Sequence, residues 1–115
     1  MKHFLLFLTF AALTACSGKS PQSSPPTPAQ EAANAAGALK ILTTECPAYV
    51  GGIKDLQAIS NAIAKQEKLA VSLGATKADL ERARDKQKGK NYGKTVSVGK
   101  TEACVDLASD VVQFL

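Results

Sequence analysis

Apolar positions recur along most of the chain at steps of three and four residues, which is the period of an amphipathic helix. The first such segment begins at Thr27 and Pro28, and Gln30 is placed to complete a capping box with Thr27. Pro47 ends it. Its apolar positions are Ala32, Ala35, Leu39, Leu42 and Cys46. We therefore predict a first helix over residues 28–46.

A second helix is predicted from about Ile53 to Leu73. The turn signal Gly51-Gly52 precedes it, and Gly74 stands where a glycine commonly ends a helix. Its apolar positions are Ile53, Leu56, Ile59, Ile63, Ala70 and Leu73.

A third, highly charged helix is predicted over roughly residues 77–88. Asp79 lies in its first turn, where a carboxylate is favoured by the helix dipole. Leu80 and Ala83 are its only obvious inward-facing residues. The segment is weakly amphipathic, so its packing is poorly defined by the pattern.

The segment from Gly89 to Lys100 is polar and rich in glycine, and we predict a loop there. Within it, residues 95–98 alternate as a short strand would, although no partner strand is visible. Thr101 is expected to cap a last helix with the cleanest stripe in the chain. That stripe is Cys104, Leu107, Ala108, Val111, Val112 and Leu115. The predicted fold class is all-α, a small four-helix domain over residues 28–115.

The amino-terminal segment has a different character. Met1-Lys2-His3 is followed by the apolar run Phe4 to Leu13, which is shorter than the roughly 20 residues needed to span a bilayer. Its length and flanks are typical of a secretory signal peptide, expected at residues 1–15. Residues 17–27 contain three prolines and no large apolar side chain. We expect residues 16–27 to form a disordered tether.

The apolar run ends in Leu13-Thr14-Ala15-Cys16, which resembles the lipobox of bacterial lipoprotein precursors. The resemblance implies cleavage before Cys16, lipidation of its thiol and acylation of its amine, and so a stable membrane anchor. Residue Ser17 is not the aspartate that usually retains such proteins at the inner membrane, so an outer-membrane location on the periplasmic face is implied. The alternative is an ordinary signal peptide with a chance cysteine.

With Cys16 accounted for, Cys46 and Cys104 remain as an even pair in an oxidising compartment, and we predict a disulfide between them. The bond would place the first and last helices side by side and antiparallel. Two free thiols are the alternative. A metal site is not expected, because His3 is the only histidine and lies in the signal peptide.

The chain is not expected to be an enzyme, and no cofactor or small-molecule substrate is expected. A mature chain without histidine lacks the commonest general base. Its cysteines are expected to be lipidated or disulfide-bonded, so none is expected to act as a nucleophile. The carboxylates Asp79, Glu81 and Asp85 are interleaved with basic residues, as on a solvated helix face.

Positive charge is concentrated between Lys77 and Lys100, which holds eight basic and three acidic residues. The candidate basic patch is Arg82, Arg84, Lys86, Lys88, Lys90 and Lys94. It is either a solvated face or a contact surface for lipid headgroups or an acidic partner. Nucleic acid is not expected, because of the compartment and because Tyr92 is the only aromatic residue nearby.

The layout of lipobox, polar tether, a helix ending in Cys46 and a last helix opening with Cys104 resembles the pilotin lipoproteins of type II secretion systems. That resemblance implies a four-helix domain that binds the carboxy-terminal segment of a secretin and directs the secretin to the outer membrane. Recognition would be of the helix-in-groove kind. The candidate contact residues are Leu39, Ile41 and Leu80. Leu39 and Leu80 could equally be core, whereas Ile41 lies off its helix's main stripe and is the better surface candidate.

Two other functions remain open. One is an immunity or inhibitor lipoprotein that blocks a toxin or a cell-wall enzyme by inserting the basic loop of residues 88–100. The other is a structural or entry-exclusion lipoprotein of the cell envelope.

Overall fold

The computed structural model describes residues 24–115 and shows an all-α domain, which confirms the predicted fold class. The expected signal peptide (1–15), Cys16 and most of the tether lie outside the described residues. Ser24–Thr27 form exposed, non-helical backbone. The four helices are α1 (Pro28–Glu45), α2 (Ile53–Ser72), α3 (Lys77–Val98) and α4 (Lys100–Val111). Short 3-10 turns follow α1 and α4, at Pro47–Tyr49 and Val112–Phe114.

Helix α1 begins with the predicted capping box. The Thr27 hydroxyl accepts from the Gln30 backbone N–H at 3.2 Å, and the Gln30 side-chain oxygen accepts from the Thr27 N–H at 2.9 Å. The helix ends at Glu45, because Pro47 cannot continue it.

The central position of α1 organises the domain, since α1 packs against each of the other three helices while α2 and α3 make few contacts with one another. All five predicted inward positions of α1 are buried, and so are positions off that stripe. The buried residues of α1 are Ala32, Ala33, Ala35, Ala36, Gly37, Ala38, Leu39, Ile41 and Leu42. A helix buried on most of its faces needs small side chains, and these allow its neighbours to approach closely.

Helix α2 places Ile59, Ala62 and Ala70 towards α1. Leu56 and Leu73, which were predicted to face inward, are 49% and 48% exposed, so the prediction is wrong at these two positions. Each lies close to an end of α2, where neighbouring helices no longer cover the stripe. Gly74 follows with a φ of +107°, as expected of a glycine that ends a helix.

Helix α3 continues to Val98, so the predicted loop from Gly89 to Lys100 and the strand at 95–98 are both wrong. Gly89 and Gly93 are interior helical residues. Asn91 and Thr95 are half-buried, and the Thr95 hydroxyl donates to the Asn91 carbonyl at 2.9 Å. The residues of this segment that are turned inward are polar and only half-buried, which is why the sequence shows no apolar stripe there.

Helix α4 turns back from α3 at Gly99, whose φ of +96° is favoured in glycine alone. It begins at Lys100 with Gly99 at the N-cap, so Thr101 is not the cap. An ion pair between Lys94 and Asp106 joins the two antiparallel helices across this turn. Cys104, Leu107 and Val111 are buried as predicted, but Val112 and Leu115 are exposed because the chain leaves the α-helix after Val111.

The predicted disulfide between Cys46 and Cys104 is present, with 5.6 Å between the two Cα atoms. It connects the end of α1 to the second turn of α4 and is buried in the main core cluster. That cluster contains Leu39, Leu42, Ile59, Ala62, Leu107 and Val111. A second cluster, near the start of α1, is built from Ala32, Ala33, Ala70 and Ala83.

Within residues 24–115, no helix combines the length and apolar character needed to cross a bilayer.

Candidate partner-binding cleft

The three side chains predicted to form a partner groove do not form one. Leu39 and Ile41 are 0% and 3% exposed and belong to the main core cluster, and Leu80 is half-buried against the alanine cluster. The prediction that Ile41 lies at the surface is wrong. Because α1 has neighbours on several sides, a position away from its main stripe is buried as well.

An open cleft of about 790 Å³ lies elsewhere, between the amino-terminal parts of α1 and α3. The turn of residues 73–75 lines it, as does the exposed chain that leads into α1. The small side chains Ala29, Ala33 and Ala83 contribute to its lining. A cleft of this volume lies within the range of about 300–1,000 Å³ that is usual for ligand sites.

Two capping boxes fix the helix ends that border the cleft. The second is at α3, where the Thr76 hydroxyl accepts from the Asp79 N–H at 3.2 Å and the Asp79 carboxylate accepts from the Thr76 N–H at 2.8 Å. One turn beyond the cleft, α1 and α3 touch at Gly37 and the backbone of Arg84. Fixed helix backbone therefore forms two walls of the cleft, and the turn of residues 73–75 and the chain before α1 form the rest of its border.

The charged groups of the lining are two cations, Arg82 and Lys86, and one carboxylate, Asp79. Arg82 donates to the Asp79 carboxylate at 2.6 Å. Hydrogen bonds from the Thr76 backbone N–H and hydroxyl hold the pKa of Asp79 below its ordinary value, and the charge of Arg82 adds to this. Lys86, one turn after Arg82, makes no ion pair with any residue that the structure describes. An anionic group entering the cleft would therefore meet Lys86 and part of Arg82.

The residues of the predicted basic patch lie on one continuous helix, but they do not form one surface. The i,i+4 spacing places Arg82, Lys86 and Lys90 on one face of α3. Arg84 lies beside Asp85 at 3.4 Å. Lys94 pairs with Asp106, whose hydrogen bond and charge raise the pKa of Lys94. Lys88 is exposed like most of the others. Only the Arg82 and Lys86 side of the patch reaches the cleft.

Apart from Arg82 and Lys86, the lining offers few charged groups. Among the described residues it contains one carboxylate, Asp79, which its hydrogen bonds already occupy, together with amides and small apolar side chains. No group of three or more His, Cys, Asp or Glu residues within 24–115 is placed to hold a metal ion. Gln30 and Asn34 offer neutral donors and acceptors along α1.

Sequence reasoning missed Ala29, Ala33 and Ala83 as lining residues. For Ala33 alone a signal was present, in the run Ala32-Ala33-Asn34-Ala35-Ala36-Gly37, where small residues occupy nearly every face of the helix. Such a run predicts close helix packing and shallow clefts rather than a one-sided stripe.

Comparison of the chain with protein-family models, with curated proteins and with solved structures gives no match. The functional interpretation therefore depends on the residues of this chain.

Proposed function

We propose that this chain is a lipid-anchored periplasmic protein of the outer membrane that binds a segment of a protein partner, in the manner of the type II secretion pilotins. The partner proposed is the carboxy-terminal segment of a secretin, which the anchored domain would direct to the outer membrane for protein secretion. The observation that carries the proposal is the open cleft between α1 and α3, lined by small residues and edged by Arg82 and Lys86.

The shape of the cleft supports a helical ligand. Ala29 is half-buried at the edge of the cleft and its small side chain leaves room for another backbone to come close, as an amphipathic helix does when it docks in a groove. Ala33 and Ala83 are buried beneath the cleft and form its floor. The cations at its edge would favour a segment with acidic residues on one side. A segment that folds on binding loses ordering entropy, so moderate affinity is expected for the area buried.

The anchoring part of the proposal comes from the Leu13-Thr14-Ala15-Cys16 motif, which lies outside the described residues. Globomycin, which blocks the lipoprotein signal peptidase, should cause a larger precursor to accumulate in cells. Cys16→Ser should abolish both acylation, measured by mass spectrometry of the intact protein, and fractionation with outer membranes.

The inhibitor alternative depended on a basic loop at residues 88–100 that would enter an enzyme's active site. Those residues lie in α3, the turn at Gly99 and the first residue of α4. A helix of this kind offers no protruding loop, so nothing in the structure favours that function.

The binding proposal is tested with the oxidised chain from Cys16 to Leu115 and a labelled peptide from the secretin of the same organism, by fluorescence anisotropy. Ala29→Trp should fill the cleft and weaken binding at least about tenfold, equivalent to about 1.4 kcal/mol. Ala58→Trp is the matched control, because Ala58 is exposed on α2 away from the cleft.

A second pair of variants tests the charge at the edge of the cleft. Lys86→Glu should weaken binding more than Lys90→Glu, which changes the same charge at an exposed site outside the lining. Absence of peptide binding by the folded, oxidised protein would contradict the secretin proposal. Equal effects of the two members of each pair would show that the peptide binds elsewhere.

A further inference from the structure

Three exposed apolar side chains lie within five residues at the end of α2. Leu69, Val71 and Leu73 are 44%, 53% and 48% exposed. Leu69 and Leu73 lie one turn apart on the same side of the helix, and Val71, two residues from each, lies on the other side, so the helix end is apolar on both sides. We call these three residues the apolar tip. They are flanked by the exposed lysines Lys65, Lys68 and Lys77.

The apolar tip lies at the end of the domain where the amino-terminal chain arrives. Ser24, Pro26 and Thr27 line the same cleft as Leu73 and the two residues after it. Seven residues lie between Cys16 and Ser24, so eight steps along the chain join their Cα atoms. Even fully extended, at about 3.6 Å per step, the two atoms lie no more than about 29 Å apart.

The charge around the apolar tip is positive. Glu67, the one acidic residue between Lys65 and Lys77, is paired with Lys40 of α1. The three lysines make no ion pair with any other residue in the described part of the chain. A second copy of the chain docked tip to tip would bring these like charges together.

We propose that the apolar tip contacts the surface of the membrane that holds the lipid anchor, with Lys65, Lys68 and Lys77 against anionic phospholipid headgroups. Leucine and valine side chains flanked by lysines are the composition of a surface that lies in the headgroup region. Lysine can place its aliphatic stem along lipid while its ammonium group stays in water. The inference rests on the proposed anchor at Cys16, because the short connection keeps the tip close to the membrane and raises its effective concentration there.

Contact at the tip would orient the whole domain. The bond between Cys46 and Cys104 lies at the other end of α1, which has 18 residues and is about 27 Å long. The tip would face the lipid, while the disulfide and the second turn of α4 would point into the periplasm.

The test uses the unacylated chain from Cys16 to Leu115, in which Cys16 is the one thiol outside the disulfide. It is coupled through Cys16 to a maleimide lipid in vesicles of phosphatidylethanolamine and phosphatidylglycerol. The chain contains no tryptophan, so Leu69→Trp supplies a single reporter at the tip. Val105→Trp is the control, since Val105 is 48% exposed beside Cys104.

Quenching by lipids brominated in the acyl chain should be several-fold stronger for Leu69→Trp than for Val105→Trp, with a blue shift of emission at the tip alone. Replacing Lys65, Lys68 and Lys77 by glutamine should reduce quenching at residue 69. Equal, weak quenching at both positions would overturn the proposal. If quenching at residue 69 did not change when the three lysines are replaced, the proposed contact between these lysines and anionic headgroups would be overturned.

These results are separable from those that test the proposed function. Leu69 does not line the cleft, so peptide binding by the Leu69→Trp chain is measured in solution without vesicles. Coupling to the maleimide lipid also replaces native acylation. If the secretin peptide fails to bind, or if Cys16 is not acylated in cells, the quenching experiment still shows whether the apolar tip contacts the membrane.

Discussion

Gly37 of α1 lies directly against the backbone of Arg84 in α3. A β-carbon at Gly37 would lie 3.0 Å from both the Cα and the N atom of Arg84, closer than backbone atoms accept without moving. The contact holds the two helices at one separation, one turn beyond the cleft. It also explains why a residue with low helix propensity occupies the middle of the central helix.

Gly37→Ala should destabilise the domain, because the added methyl group forces α3 away from α1 at a cost of about 1–3 kcal/mol. The higher helix propensity of alanine offsets about 1 kcal/mol of this cost, so the net loss should be up to about 2 kcal/mol. Urea denaturation followed by circular dichroism measures the difference. A variant more stable than the parent by the full propensity gain of about 1 kcal/mol would mean that the helices are not in contact at this point.

Gly93→Ala should have the opposite effect and serves as the matched control. Nothing lies within 4 Å of a β-carbon built on Gly93, which is in the interior of α3. Alanine should stabilise the helix there by about 0.5–1 kcal/mol. The gain is expected only if α3 continues beyond residue 88, so an unchanged or lowered denaturation midpoint would favour a loop.

Removing the Cys46–Cys104 bond should cost about 4 kcal/mol, since it closes a loop with a sequence separation of 58 residues. Replacement of both cysteines by alanine is compared with the oxidised parent by urea denaturation. Each cysteine is no more than 2% exposed, so reductant should act slowly on the folded domain and faster in mild denaturant. Fast reduction without denaturant would contradict the buried position.

The capping box at Thr76 and Asp79 should make stability depend on acid. The folded protein lowers the pKa of Asp79, so its contribution is present at pH values above the unfolded pKa of about 3.9 and is lost as pH falls through the folded value. Asp79→Asn should be less stable than the parent at neutral pH, and the difference should vanish in acid, where the parent side chain is also neutral. Thermal unfolding from pH 7 to pH 2 tests this, and a difference independent of pH would contradict it.

The ion pair between Lys94 and Asp106 has the reverse dependence on pH. The pKa of Lys94 is raised, so its contribution is present below the unfolded pKa of about 10.4 and is lost as pH rises through the folded value. Asp106→Asn should return the Lys94 pKa towards its ordinary value, which NMR titration of the lysine Nζ-attached methylene signals can follow. An unchanged titration would mean that the two side chains do not meet across the turn at Gly99.

The sequence was sufficient to predict those features of the fold that depend on one local physical cause. Thr27 with Gln30 begins α1 and Pro47 limits it, and the count of cysteines leaves Cys46 to pair with Cys104. The helix ends depend on residues that are close in sequence, and the disulfide depends on the number of cysteines available to pair. Helix α3 beyond residue 88 depends on tertiary packing, because Gly89 and Gly93 lower its intrinsic propensity.

The candidate site was harder to predict because it depends on which residues the other helices cover. A periodic stripe indicates one buried face, yet α1 is buried on several faces, and Ile41 is in the core for that reason. The cleft arises where α1 and α3 leave a space beside the turn of residues 73–75. No pattern within one segment contains that information.

The disulfide has a mechanical consequence. A tensile force applied between Thr27 and Leu115 runs along α1, crosses from Cys46 to Cys104 and enters α4. Helices α2 and α3 belong to the closed covalent loop between the two cysteines, so extension of the chain cannot unravel them while the bond is intact. When the domain is pulled by its two ends, the segments under tension are α1 and the part of α4 after Cys104, and the residues between the two cysteines bear none of the force.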